Sequence, residues 1–261
     1  MNVFRAKLWT TVGAAVVLTA GGLSACSGEG EGGEGAGAPA AAGSSATPAG
    51  EGGEAGAEGG APGGEAGASQ AYGSVPAESR TALRLAHLEG FFLAADPVRA
   101  AQGPDAAAAL AGQGLLEVFD PAAAELRAAG LDEAVLRRAA QSGDAADVRG
   151  ALAAIDAAQV RAGGDPRALA RGMSGITAGL YREATAGGAV DPVEYQHAYA
   201  AALAARALAA NNTALASSKA DLDRLAAMFP SAVAPEDAGQ APKLADVQAQ
   251  ASRIELALSG A

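Results

Sequence analysis

Asp-Pro recurs along this chain, at Asp96-Pro97, Asp120-Pro121, Asp165-Pro166 and Asp191-Pro192, with Gly103-Pro104-Asp105 between the first two. An Asp side chain accepts hydrogen bonds from the first turn of a helix. Proline fits the first helical position, where its missing N–H is not needed. Each Asp-Pro therefore predicts a helix start. Gly130, Gly143 and Gly163-Gly164 predict helix ends, because glycine accepts the left-handed backbone that closes a helix.

Between these marks the apolar residues repeat at helical spacing. Helices are predicted over 77–95, with Leu85, Leu88, Phe92 and Ala95 on one stripe, and over 104–119, 121–129 and 132–141. A further pair covers 144–161, with Val148, Leu152 and Ile155 inward, and 166–186, with Leu169, Met173, Ile176 and Leu180. The pattern starting at Pro192 has no Gly or Pro before Pro230, but Asn211-Asn212-Thr213 are poor helix formers and predict a bend or break. A last helix is expected over 243–258. The β-branched alternation of a strand is absent. The expected fold is all-α: a single up-and-down helical bundle with short extra helices, over residues 71–261. Aromatics are only 4% of the chain while apolar residues are 50%, so the core must be built largely from Ala and Leu, in thin, closely packed helices.

Residues 26–70 read differently. Gly, Glu, Ala, Pro and Ser dominate, and too little apolar surface is present to offset the entropy of ordering. This stretch is expected to be a disordered acidic tether. Ahead of it, Arg5 and Lys7 form a positive start and 11–23 an apolar run of about a dozen residues, the size of a secretory signal core and too short to span a bilayer. The run ends in Leu23-Ser24-Ala25-Cys26, which contains the one cysteine of the chain. These four residues resemble the lipobox of bacterial lipoproteins. The resemblance implies that 1–25 is a signal peptide, that Cys26 becomes the lipidated first residue of the mature chain, and that acyl chains such as palmitate anchor it in a membrane. Each buried methylene adds about 0.8 kcal/mol to such an anchor. Ser27 stands where Asp would resemble an inner-membrane retention signal, which implies the outer membrane, facing the periplasm.

Charge narrows the partners. The chain carries a formal −11, and removal of Arg5 and Lys7 leaves about −13. Nucleic acid and electrostatic docking on anionic lipid are both disfavoured. With one cysteine there is no intrachain disulfide. An envelope protein partner is expected, with the helical domain binding rather than catalysing. Gly172-Met173-Ser174-Gly175 lies in a helical pattern and lacks the strand a nucleophile elbow needs.

Two histidines remain. His197 follows Glu194 by three residues, so both fall on one helix face. Glu-x-x-His is how carboxylate-bridged metal bundles place their ligands. A second pair of donors is available from His87 with Gln113 or Glu117, which lie four apart on the 104–119 helix. The candidate metal set is therefore His87, Glu117, Glu194 and His197, for iron or zinc. A haem would instead take His87 or His197 as axial ligand, with Tyr181, Tyr195 and Tyr199 as further pocket walls. A shared site requires the two histidines to lie within about 15 Å, since ligands converge to about 2.0–2.2 Å from one ion. The competing reading has Glu194 complementing a helix dipole and both histidines on polar faces, with no cofactor at all. A lipid-anchored, Ala-rich helical domain with few histidines also resembles the imelysin-like periplasmic proteins associated with iron handling. Their Gly-x-His-x-x-Glu pattern meets Leu85, His87 and Gly90 here, with Glu89 one place early.

Overall fold

The structure, a computed structural model, describes residues 65–210 and 212–259. The expected signal peptide, Cys26 and the expected tether as far as residue 64 lie outside the described residues. Helices follow one another as α1 (Glu65–Ser74), α2 (Arg80–Gln102), α3 (Pro104–Gly114), α4 (Ala123–Ala128), α5 (Glu133–Ser142), α6 (Ala145–Ala162), α7 (Pro166–Thr185), α8 (Pro192–Ala210), α9 (Lys219–Ala227) and α10 (Leu244–Ser259). No strand occurs among the described residues. The all-α expectation holds.

Most of the predicted caps are found. Asp165 accepts from the backbone N–H groups of Arg167 and Ala168 at the start of α7. Asp191 accepts from Val193 and Glu194 at the start of α8. Gly143 and Gly163 close α5 and α6 with φ of 61° and 68°. The long pattern from Pro192 breaks at the asparagines: α8 stops at Ala210, and Asn212 caps the next turn by accepting from Ala214.

Four expectations need correction. Asp96-Pro97 does not start a helix; it lies inside α2, which runs on to Gln102. Pro97 forfeits one backbone hydrogen bond, but Ala94, Ala95 and Val98 around it are fully buried, and their packing holds the helix together. The 104–119 helix is α only to Gly114, and Leu115–Phe119 is a π-turn. The folded domain begins before residue 71. Helix α1 packs on α7 and buries Ala68 and Ala71, and a Cβ added at Gly175 of α7 would meet Ala71 Cβ at only 3.9 Å. Small side chains on both helices provide this contact, so composition alone misread residues 65–70 as tether. Tyr181 and Tyr195, finally, do not line a pocket with the histidines. They stack edge-on around Phe229, at ring separations of 5.3 and 5.6 Å, and Tyr199 lies 6.5 Å from the same ring. Tyr195 donates to the Ser231 carbonyl at 3.2 Å and Tyr181 to that of Pro242, which fastens the irregular 229–243 segment to the core.

Two hydrophobic cores result. One gathers Leu83, Met173, Ile176, Tyr181, Tyr195, Leu222 and Ile254; the other gathers Leu88, Phe91, Phe92, Leu110, Phe119, Leu136 and Ile155. Helices α2 and α8 contribute to both and pack directly on each other. Their approach is close because of Gly90, where an added Cβ would stand 2.5 Å from the Ala200 carbonyl oxygen. The seam between α2 and α8 carries both histidines.

Candidate functional site

The site grows from Phe91. Its ring lies 5.4 Å from that of His87, one turn earlier on α2, and 5.1 Å from that of His197 on α8. The two imidazoles are thus within about 10.5 Å of each other, inside the separation a shared site requires. Both are buried, His87 at 3% exposure and His197 at 1%. Gly114 lets the end of α3 close over the same ring, since a Cβ there would meet Phe91 Cγ at 2.7 Å. The π-turn begins at the next residue and carries Glu117. A π-turn widens the helix by one residue per turn and is frequent at functional sites.

His197 has two distinct environments. Its Nε2 lies 2.7 Å from Gln113 Oε1. A carbonyl oxygen only accepts, so we assign the ring proton to Nε2. Nδ1 is then a bare lone pair. It is buried without a hydrogen bond, and the acidic groups nearest to it are Glu117 Oε2 at 3.5 Å and Glu194 Oε2 at 3.9 Å. Glu194 Oε2 is likewise buried without a hydrogen bond. Burial holds the His197 imidazole down to a pKa of about 4, against a weaker upward pull from Asp191. Burial, then Asp191 and Glu183, raises the Glu194 carboxyl. The bare Nδ1 of a neutral imidazole therefore faces the carboxyl groups of Glu117 and Glu194.

His87 is arranged differently. Its Nδ1 lies 2.7 Å from the Tyr72 hydroxyl of α1. A phenol is the better donor, so we assign Tyr72 as donor, which leaves the ring proton on Nε2. Nε2 is buried with no hydrogen-bond partner. Burial, helped by the charges of His197 and Arg84, pushes the His87 pKa down to about 3. His87 shares with Glu117, Tyr72 and Arg84 a cavity of about 250 Å3.

Of the four residues singled out in the sequence, the structure thus gathers His197, Glu117 and Glu194, and places His87 across the cavity that Glu117 lines. Gln113, considered as a donor beside His87, instead orients His197. Tyr72, Arg84 and Phe91 were not singled out. The spacing His87-x-x-x-Phe91 was the one signal for Phe91, and the roles of Tyr72 and Arg84 depend on α1 folding back over α2. Among the described residues no three His, Cys, Asp or Glu side chains form a ready-made metal cage. Glu117 and Glu194, 24% and 17% exposed, would have to turn inward to complete one. Donors bound at 2.0–2.2 Å in a tetrahedron are about 3.3–3.6 Å apart; the His197 Nδ1 separations from the two carboxyl oxygens are 3.5 and 3.9 Å.

Comparison with known proteins returns no match, whether to protein-family models, curated proteins or solved structures.

Proposed function

We propose that this chain is a lipid-anchored protein of the bacterial envelope whose helical domain binds a divalent first-row metal ion at His197, Glu117 and Glu194. The observation that carries the metal reading is the buried His197 Nδ1 lone pair turned toward two carboxylates. One neutral nitrogen and two negative charges balance a divalent cation, and mixed imidazole and carboxylate donors suit zinc, iron or manganese. Gln113 holds the imidazole from behind, as the outer partner of a ligating histidine does. The cavity of about 250 Å3 is smaller than the usual 300–1,000 Å3 of cofactor pockets, which favours an ion over haem. Binding rather than catalysis is the reading because the one serine considered as a nucleophile, Ser174, is buried and donates its hydroxyl to the Ala170 carbonyl within α7. The lipid anchor rests on the lipobox resemblance of Leu23-Ser24-Ala25-Cys26.

Chelator-stripped full-length protein in detergent should take up one Co(II) per chain, read from visible absorption. His197→Ala is expected to lose at least about 100-fold in affinity, and Gln113→Ala about 10–100-fold, the usual cost of an outer-shell partner. Equal binding by wild type and His197→Ala, or none by wild type, would overturn the metal reading. For the anchor, Cys26→Ala should leave an unprocessed precursor that no longer incorporates labelled palmitate. Labelling of the alanine variant equal to that of the wild type would sink that part.

A further inference from the structure

We propose that the domain holds a second ligand site, for a small organic ammonium ion, in the cavity where α2, α6, α7 and the end of α8 meet. It shares no wall residue with the cavity at His87, and the proposal does not rest on the metal reading. Its volume is about 460 Å3, within the range of about 300–1,000 Å3 usual for small-molecule sites. The polar wall is Glu89 of α2 with Asp156 and Gln159 of α6; the apolar wall is Val160, Leu169 and Leu208. Glu89 is the anchor, at only 8% exposure. Its Oε2 accepts from Gln159 at 2.6 Å, while Oε1 accepts no hydrogen bond. Unlike His87 Nε2 and His197 Nδ1, Oε1 is not sealed inside the protein, so it stays open to a ligand in the cavity that Glu89 lines. Asp156 stands three residues before Gln159, on the same face of α6, and is exposed.

The electrostatics of this wall favour a cation. No Lys or Arg lines the cavity. Burial raises the Glu89 carboxyl to about 7 against the Gln159 hydrogen bond, and the Asp156 charge adds to the rise. A carboxyl held up in that way lacks counter-charge. Helices α6 and α8 both end at the cavity, the first with Val160 and Gly163, the second with Ala207 and Leu208, and a helix C-terminus carries partial negative charge. The N-terminus of α7 also reaches it, at Pro166, but Asp165 already accepts from the Arg167 and Ala168 N–H groups. A primary ammonium brings one positive charge and three N–H donors, one for Glu89 Oε1 and one for Asp156. The apolar wall assigns the rest of the ligand. A bare ion would leave Leu208 and the 84% exposed Val160 against water, whereas a short alkyl chain covers them.

The test is thermal unfolding of metal-stripped full-length protein in detergent, with n-butylammonium chloride as probe. Tens of millimolar probe would be compared with sodium chloride at equal concentration. The wild-type melting temperature should rise by about 2–4 °C, as expected for a ligand that binds only the folded state. Ammonium chloride has the charge without the chain, and n-butanol the chain without the charge; each should raise it by clearly less. Glu89→Gln should lose the rise and Asp156→Asn should reduce it, while His197→Ala should keep it in full. No rise in wild type would overturn the proposal. A rise of wild-type size in Glu89→Gln would do the same, and if that variant does not fold, an undiminished rise in Asp156→Asn decides the matter equally. An equal rise with ammonium chloride would overturn it in favour of a site for a bare cation. Loss of the rise in His197→Ala would place the amine at the histidine seam and overturn it too.

Discussion

Phe91→Ala is expected to lower the unfolding free energy by about 3–5 kcal/mol, the usual range for removing a buried aromatic ring. The ring has no solvent exposure. It is gripped by the Gly114 backbone and by both imidazoles, so the space it leaves cannot collapse without moving α3 or α8. At about 2–4 °C per kcal/mol for a domain of this size, the melting temperature should fall by roughly 6–20 °C. Urea unfolding should show a lower midpoint at unchanged slope, the mark of lost stability rather than a changed denatured state. The variant should also weaken Co(II) binding, because His197 loses one wall. A loss below about 1 kcal/mol would mean that the ring does not bridge the two helices as described.

The metal-free protein should lose stability on mild acidification. Burial holds the His87 and His197 pKa values at about 3 and about 4, below the ordinary value of about 6.5. A folded-state pKa below the unfolded one means that the unfolded chain takes up the proton first as pH falls. The stability these neutral imidazoles permit is therefore intact above about pH 6.5 and declines from there toward pH 4 and 3. Glu89 works in the opposite direction. It is buried and accepts from Gln159 at 2.6 Å. Its pKa is raised to about 7, chiefly by burial, with Asp156 adding to the rise. The folded state then takes up this proton first between about pH 7 and 4.5, which offsets one histidine.

The net expectation is a fall in stability as pH drops below about 6, shallower than two histidines alone would give, because Glu89, Glu194 and Asp156 take up protons first in the folded state. Urea unfolding of metal-free protein at pH 7.5, 6 and 5 measures it. Glu89→Gln should steepen the decline and His87→Gln should flatten it. A wild-type profile flat from pH 7.5 to 5 would show that the histidines are solvated rather than buried.

Helix capping was the most legible layer of the chain. Asp165, Asp191, Gly143 and Gly163 act where they were read, because a cap is a contact between residues two to four apart, wholly inside the local sequence. Pro97 was misread because its local signal conflicts with burial on both sides of it, and burial is a property of the neighbouring helices. The first turns of α1 were hidden for a related reason. Glu65-Ala66-Gly67-Ala68 has the composition of a tether, yet it lies in α1, which packs on α7 with Ala71 facing Gly175.

The candidate site was legible in part. Glu194 and His197 were paired by helical spacing, and helical spacing is what brings them together. Glu117 could be named but not aimed, since its direction depends on a π-turn at 115–119 that has no marker in the sequence. His87 was expected among the ligands, but the Tyr72 hydroxyl fixes its orientation from a helix that the sequence did not predict.

By itself, then, the sequence determined the helical class, most of the caps and breaks, the acidic balance, and the Glu194–His197 pair, all of which follow from interactions within a few residues of chain. Only the tertiary structure decided that α2 and α8 meet at Gly90, that Phe91 lies against both histidines, and that a lone pair of His197 faces Glu117. Those contacts join residues as much as 110 positions apart (90 and 200), and they exist only because packing two cores against one shared pair of helices leaves polar groups buried at the seam.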